Sequence, residues 1–214
     1  MSLKKDVYDL TIKFTSEVLG SQPGRDDPAS NFIRDKAREE HPELKIPPEE
    51  VESLPTEINK GTTGFFRSPN GKKLIFKSYQ IKGMLKEAAS QLNGIDDIKN
   101  FRSKIESTVF VGPVDIPVEG IRVKDIGILE RPLRAMTAQG PRVTLARSEK
   151  MPAGGTLKCK LTVYQLPKFS AGERDLRNIL DFSQRLGLGQ WRNSNVYGQF
   201  DYKLTKIGSK RKAR

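Results

Sequence analysis

An α+β fold built around an antiparallel sheet is predicted by three features of the sequence. Tyr8–Phe14 and Leu157–Val163 alternate apolar and polar residues with the period of a half-buried strand. Tyr79–Leu92 and Glu173–Leu186 instead repeat apolar residues at the spacing of one helical face. Between these segments lie two long stretches, polar or rich in turn residues, that read as insertions.

Each element has a local cause. Tyr8, Leu10, Ile12 and Phe14 alternate with Asp9, Thr11 and Lys13, and Gly20 to Gly24 stops the strand. Residues 15–60 form an acidic surface insertion, with Asn31–Glu40 as a short helix and Pro47-Pro48 beyond it. Asn70-Gly71, set between apolar pairs in Gly64–Phe76, signals a hairpin turn. Ile81, Met84, Leu85, Ala88 and Leu92 share a helical face that Gly94 ends. Residues 93–141 read as the second insertion, with short strand-like pieces at Val109–Val111 and Ile121–Val123. Val143 and Leu145 begin a further strand, Pro152–Gly155 turns it, and Leu157, Cys159, Leu161 and Val163 follow. Leu176, Ile179, Leu180, Ser183 and Leu186 give the second helix its face, and a strand returns at 196–206. The tail from 206 to 214 is a basic run without apolar period. Without the insertions the order is strand, helix, strand, strand, helix, strand. This is the split βαβ, or ferredoxin-like (RRM-like), core, expected over 1–14 and 61–214 with both helices on one face of the sheet. The open face of such a sheet is a common platform for single-stranded nucleic acid.

Composition excludes several function classes. The 214 residues hold one cysteine and one histidine, so neither an internal disulfide nor a Cys/His zinc site can form. No apolar run approaches the roughly 20 residues of a membrane span, and the first residues lack the apolar core of a signal peptide. A soluble, cytoplasmic protein is expected, with no cofactor and no metal. The net charge of +12 is uneven: residues 1–60 carry −4 and residues 61–214 carry +16. Such an excess favours polyanionic partners. Cys159 falls on the apolar side of its strand and reads as an inert core thiol.

Two segments carry candidate chemistry. Arg185–Phe200 closes a helix with Gly187 and Gly189, followed by Gln190, Trp191, Arg192 and Asn193. Glycines let backbone approach a ligand and offer amides to phosphate oxygens. Arg192 suits a phosphate and Trp191 a base, although the same residues would serve equally as a helix cap and core filler. The second segment, Lys77-Ser78-Tyr79-Gln80-Ile81-Lys82, opens a helix whose amide end attracts anions, with Ser78 as its cap and Lys82 extending the field.

Together these segments resemble the RAMP superfamily of CRISPR-associated proteins, most closely its guide-RNA-binding backbone subunits. The family's helix opens with a pattern like Pro-Gly-Ser-Ser-Leu-Lys-Gly followed by Leu-Arg, and residues 77–86 run from Lys77 through Ile81-Lys82-Gly83 to Leu85-Lys86. Phe66–Phe76 is similar to the family's strand–turn–strand entry. Arg142–Val163, with Glu149 and Pro152-Ala153-Gly154-Gly155-Thr156-Leu157, is similar to its Glu…Pro-Ala-Gly-Thr-Phe hairpin. Leu186–Phe200 is similar to its glycine-rich loop. The four matches keep family order over 61–204, plus the first strand. The chain departs from the pattern at Lys77–Gln80, where the family has Pro-Gly-Ser-Ser, and at Asn193–Gly198.

The resemblance implies single-stranded RNA binding through Arg67, Lys77, Tyr79, Gln80, Lys82, Gly187, Gly189, Gln190, Trp191, Arg192 and Asn193. It further implies head-to-tail copies of this chain along a guide RNA, other CRISPR effector subunits as partners, no membrane, and a thumb-like role for 93–141. Target-cleaving relatives carry an acidic residue in the loop before the entry hairpin, where this chain has Thr62. Threonine neither ligates a metal as an anion nor takes up a proton near neutral pH, so no catalytic residue is expected. The alternatives are an RNA endonuclease using Asp26, Asp27 or His41, and a stand-alone protein of a mobile element that binds nucleic acid or effector subunits.

Overall fold

The computed structural model describes residues 3–22, 62–94, 99–137, 140–166, 171–194 and 196–208; for 133–145 only the backbone course is described. The strands are β1 (Lys5–Phe14), β2 (Val18–Leu19), β3 (Thr62–Thr63), β4 (Phe66–Arg67), β5 (Leu74–Lys77), β6 (Val109–Gly112), β7 (Asp115–Pro117), β8 (Gly127–Thr137), β9 (Gly140–Met151), β10 (Thr156–Tyr164) and β11 (Phe200–Gly208). The helices are α1 (Ser78–Gln91), α2 (Phe101–Thr108) and α3 (Glu173–Leu186). The chain is α+β.

The main sheet has the order β11-β1-β10-β6, and every neighbouring pair in it is antiparallel. Its centre follows directly from the alternating sequence. Tyr8, Leu10, Ile12 and Phe14 of β1 are all buried, and they stand in register with Leu161, Cys159, Leu157 and neighbours on β10. The intervening polar residues then face the other way, because successive side chains of a strand alternate between faces. The buried side receives Ile81, Met84, Leu85, Ala88 and Ala89 of α1 and Leu176, Ile179, Leu180 and Leu186 of α3 in one continuous core. Each buried Leu or Ile contributes about 1.5–3 kcal/mol by leaving water. The helical bounds predicted for 79–92 and 173–186 agree with α1 and α3 within one residue.

Three expectations are corrected. The strand after α1 is β6, inside the stretch taken for an insertion, and it completes the main sheet beside β10. The strand of Val143 and Leu145 does not lie in this sheet. It belongs to β9, which pairs with β8 along eleven residue positions from Gly127↔Lys150 to Thr137↔Gly140. Consequently Arg142–Val163 is not a paired hairpin: the turn after Met151 hands the chain from one sheet to the other. Finally, α2 stands in the same stretch, anchored by buried Phe101 and Ile105. The entry hairpin holds, with Phe66↔Ile75 and Arg67↔Leu74 paired around Gly71, whose φ of 68° suits glycine. The helix at Asn31–Glu40, the acidic insertion beyond 22 and the tail beyond 208 lie outside the described residues.

Burial pushes the Cys159 thiol up to about 12, with Asp9 adding to the rise. The folded protein should therefore leave Ellman's reagent unreacted until denaturant is added. Rapid native labelling at neutral pH would show that this strand opens easily.

Candidate nucleic-acid interface

The two chemistry-bearing segments meet at one short piece of backbone. Gln190 donates its amide to the Leu19 carbonyl at 3.0 Å, and Gln80 donates its side-chain amide to Ser21 Oγ at 2.8 Å. Leu19 and Ser21 are two residues apart, so the glycine loop and the first turn of α1 are anchored about 7 Å from each other. The same stretch pairs onward: β2 joins β9, and Gln22 bridges Gly64. Between β3, β9 and the loop, Gln190 Oε1 accepts the hydroxyls of Thr63 at 2.6 Å and Ser148 at 2.7 Å.

The loop is held closed by its glycines. Gly187, Gly189 and Gly198 have φ of 83°, 107° and 75°, a region costly for residues with a Cβ. A Cβ on Gly187 would lie 2.7 Å from the Tyr197 carbonyl oxygen, and one on Gly189 as close to that of Leu19. Gly187 N donates to Ser183, Leu188 N to Gly198 and Asn193 N to Leu186. The Gly187 and Leu188 amides are thus taken up by the protein's own carbonyls, and for these two the expected donation to phosphate is corrected. The glycines allow close backbone packing, and the outward chemistry belongs to the side chains that follow.

Those side chains are positioned on α1 and on the base of the β8–β9 arm. Arg192 pairs Glu87 of α1 at 2.5 Å, and Asn193 donates to the other oxygen of Glu87 at 3.0 Å. Trp191 carries the Arg131 guanidinium 4.0 Å from its ring centre. At the start of α1, Lys77 pairs Asp115 at 2.5 Å and lies 5.1 Å over the Phe66 ring, which meets Tyr79 edge-on. Tyr79 is 61% exposed, an aromatic surface open to water. Arg67 pairs Glu149, whose second oxygen accepts the Phe65 amide at 2.9 Å. Lys77 rather than Ser78 occupies the cap position, and Gln80 Oε1 accepts its amide at 2.8 Å.

Lys82 stands apart. Its ammonium donates to the carbonyls of Ile105 and Glu106, both at 2.9 Å, and of Val109. They lie where α2 passes into β6; Ile105 already accepts the Val109 amide, and the lysine adds a donor to the carbonyls at this helix end. Burial, with Lys86 nearby, lowers its pKa to about 8. Lys82 and Glu87 are five residues apart, which sets them about 140° apart around α1. Lys82 therefore faces α2 while Arg192 docks on another flank, and the expected convergence of these two cations is replaced by that of Gln80, Gln190, Trp191 and Arg192. Sequence reasoning missed Arg131 and Ser148 and gave Phe66 and Glu149 no role at the site; the Arg–Glu and Arg–Trp pairs join residues far apart in the chain, and no local spacing announces them.

Thr62 lies in β3, paired alongside Arg147 of β9. Asp26, Asp27 and His41 lie outside the described residues. Among the described residues no three His, Cys, Asp or Glu side chains come together, and no helix is long and apolar enough to cross a membrane.

No family model matches the chain, and no curated protein matches it. Among solved structures, a chain in the cryo-EM structure of the Type III-B Cmr-beta bound to cognate target RNA aligns with TM-score 0.45 and 13% identity, covering 96% of this chain and 62% of that one. This chain thus spans less than two thirds of that neighbour's length. A chain of the Csm3-Csm4 subcomplex in the type III-A CRISPR-Cas interference complex aligns with TM-score 0.41 and 10% identity, over 97% and 83% of the two chains. Both of these similar structures are of type III CRISPR-Cas complexes.

Proposed function

We propose that the protein is a non-catalytic, RAMP-like subunit that binds single-stranded RNA across the surface where the glycine loop meets the start of α1. The order β11-β1-β10-β6, with α1 and α3 in the two crossovers, supports a ferredoxin-like core and with it the resemblance in the sequence. The observation that carries the proposal is that Gln190 of the glycine loop and Gln80 of α1 are both anchored on residues 19–21, with Trp191 and Arg192 following the one and Lys77 and Tyr79 just before the other. Rings and cations so arranged suit a strand whose bases stack while its phosphates are neutralised. Lys77 and Arg192 are held by the partly exposed carboxylates of Asp115 and Glu87, and such pairs are worth only about 0–1 kcal/mol, so phosphate can compete for them. On this reading copies of the chain line a guide RNA head to tail, with the β8–β9 arm as the extension toward a neighbour.

Binding of labelled single-stranded RNA across a salt series tests this. Affinity should fall steeply with salt, and Tyr79→Ala with Trp191→Ala should weaken it by about 1–3 kcal/mol for each lost stack. Lys82→Ala should act on stability rather than on the salt dependence of binding. Binding indifferent to salt would overturn the proposal. So would magnesium-dependent RNA cleavage abolished by Asp26→Asn, or metal-free cleavage abolished by His41→Ala.

A further inference from the structure

We propose that the open face of the main sheet is a second binding surface for single-stranded RNA, separate from the loop and α1. The helices cover only the face that presents Tyr8, Leu10, Ile12 and Phe14. The opposite face divides into two chemically different zones. At one end Phe110 of β6, 52% exposed, meets Tyr164 of β10 edge-on with ring centres 5.5 Å apart. Register sets them on one face, because Phe110 pairs with Thr162, two residues before Tyr164. Val7, paired with Thr162 on one side and Gly208 on the other, extends this end toward β11.

Further along, the rows become cationic. Lys160 stands beside Asp9, and Lys158, Thr11 and Lys203 form the next row across β10, β1 and β11. Lys13 follows beside Asp201. Lys13, Lys158, Lys160 and Lys203 are all exposed. Asp9 and Asp201 oppose them, and Glu119 pairs Lys158 at 2.6 Å, which leaves the zone net positive. A face solvated only for want of a partner has no need of a ring pair, and an apolar protein contact would not place four lysines beside it. Rings at one end and a row of ammonium groups at the other match a strand that stacks its bases and lays its phosphates alongside. Lys82, held on the carbonyls beside α2, packs its ammonium 5.3 Å over the Phe110 ring and so helps fix the ring's position.

The test is titration of the full chain with a short oligouridylate too small to reach both surfaces, in wild type and in two sets of variants. Wild type should take up two equivalents. Lys158→Ala with Lys160→Ala and Phe110→Ala should remove one of them and flatten the salt dependence by about 1.4 in log–log slope, from two lost phosphate contacts. Lys158→Arg with Lys160→Arg and Phe110→Tyr should restore both, which separates lost contacts from lost folding. Trp191→Ala with Arg192→Ala should remove the other equivalent only. If the face variants bind as wild type does and only the loop variants fail, the second surface is overturned while the proposed function stands. If only the face variants fail, the reverse holds. A change in sedimentation on face substitution with RNA uptake unaltered would assign the face to a second copy and overturn the proposal.

Discussion

Gly198→Ala should destabilise the protein by about 2–5 kcal/mol, the sum of left-handed backbone strain and overpacking. A Cβ at this position would stand on the Leu188 carbonyl oxygen, backbone against backbone, where no side-chain rotation relieves it. Gly198 N donates to Glu17 at 2.7 Å and its carbonyl accepts Leu188 N at 2.9 Å, so a shift of residue 198 breaks bonds on two sides. Because the loop positions Trp191 and Arg192, RNA affinity should fall along with the denaturation midpoint. A variant with the wild-type midpoint would show that the loop does not need this approach.

Lys82→Met should cost about 1–3 kcal/mol at neutral pH, since the carbonyls of Glu106 and Val109 lose this donor while Ile105 keeps only the Val109 amide. The substitution should also change how stability depends on pH. The unfolded chain keeps the lysine proton up to its ordinary pKa of 10.5, while the folded protein releases it near 8. Between those values the unfolded state binds more protons, so this group's contribution to stability rises with pH. Urea denaturation of wild type and Lys82→Met between pH 7.5 and about 10 should show their difference widening in favour of wild type. A constant difference across the series would rule out this role for Lys82.

Much of the core was legible because its signals are local. The alternation in Tyr8–Phe14 and Leu157–Val163 and the helical faces of α1 and α3 each need only a dozen residues to be read. The second strand was read only as a strand-like piece of an insertion, not as a member of the main sheet. Val109–Gly112 is only four residues long, has Phe110 on its open side, and follows an eight-residue helix with two apolar anchors, so nothing in it rivals the long alternating run of β9. The length of β9 comes from pairing with β8 rather than from a place in the main sheet, and periodicity carries no information about which strand a partner will be. The site was legible in its residue types but not in its pairing. Arg192 and Lys82 both read as free cations; that one would meet Glu87 and the other the end of α2 depended on how three helices pack. The glycines were read as ligand-facing, yet the backbone they admit is the protein's own.

The single cysteine, sealed under the helices, gives the molecule a practical property. A fluorophore or spin label attached to an introduced surface thiol would report from one address only, with a silent background. Distances between such a tag on the β8–β9 arm and another on a bound oligonucleotide can then be followed without first stripping the chain of native sulfur.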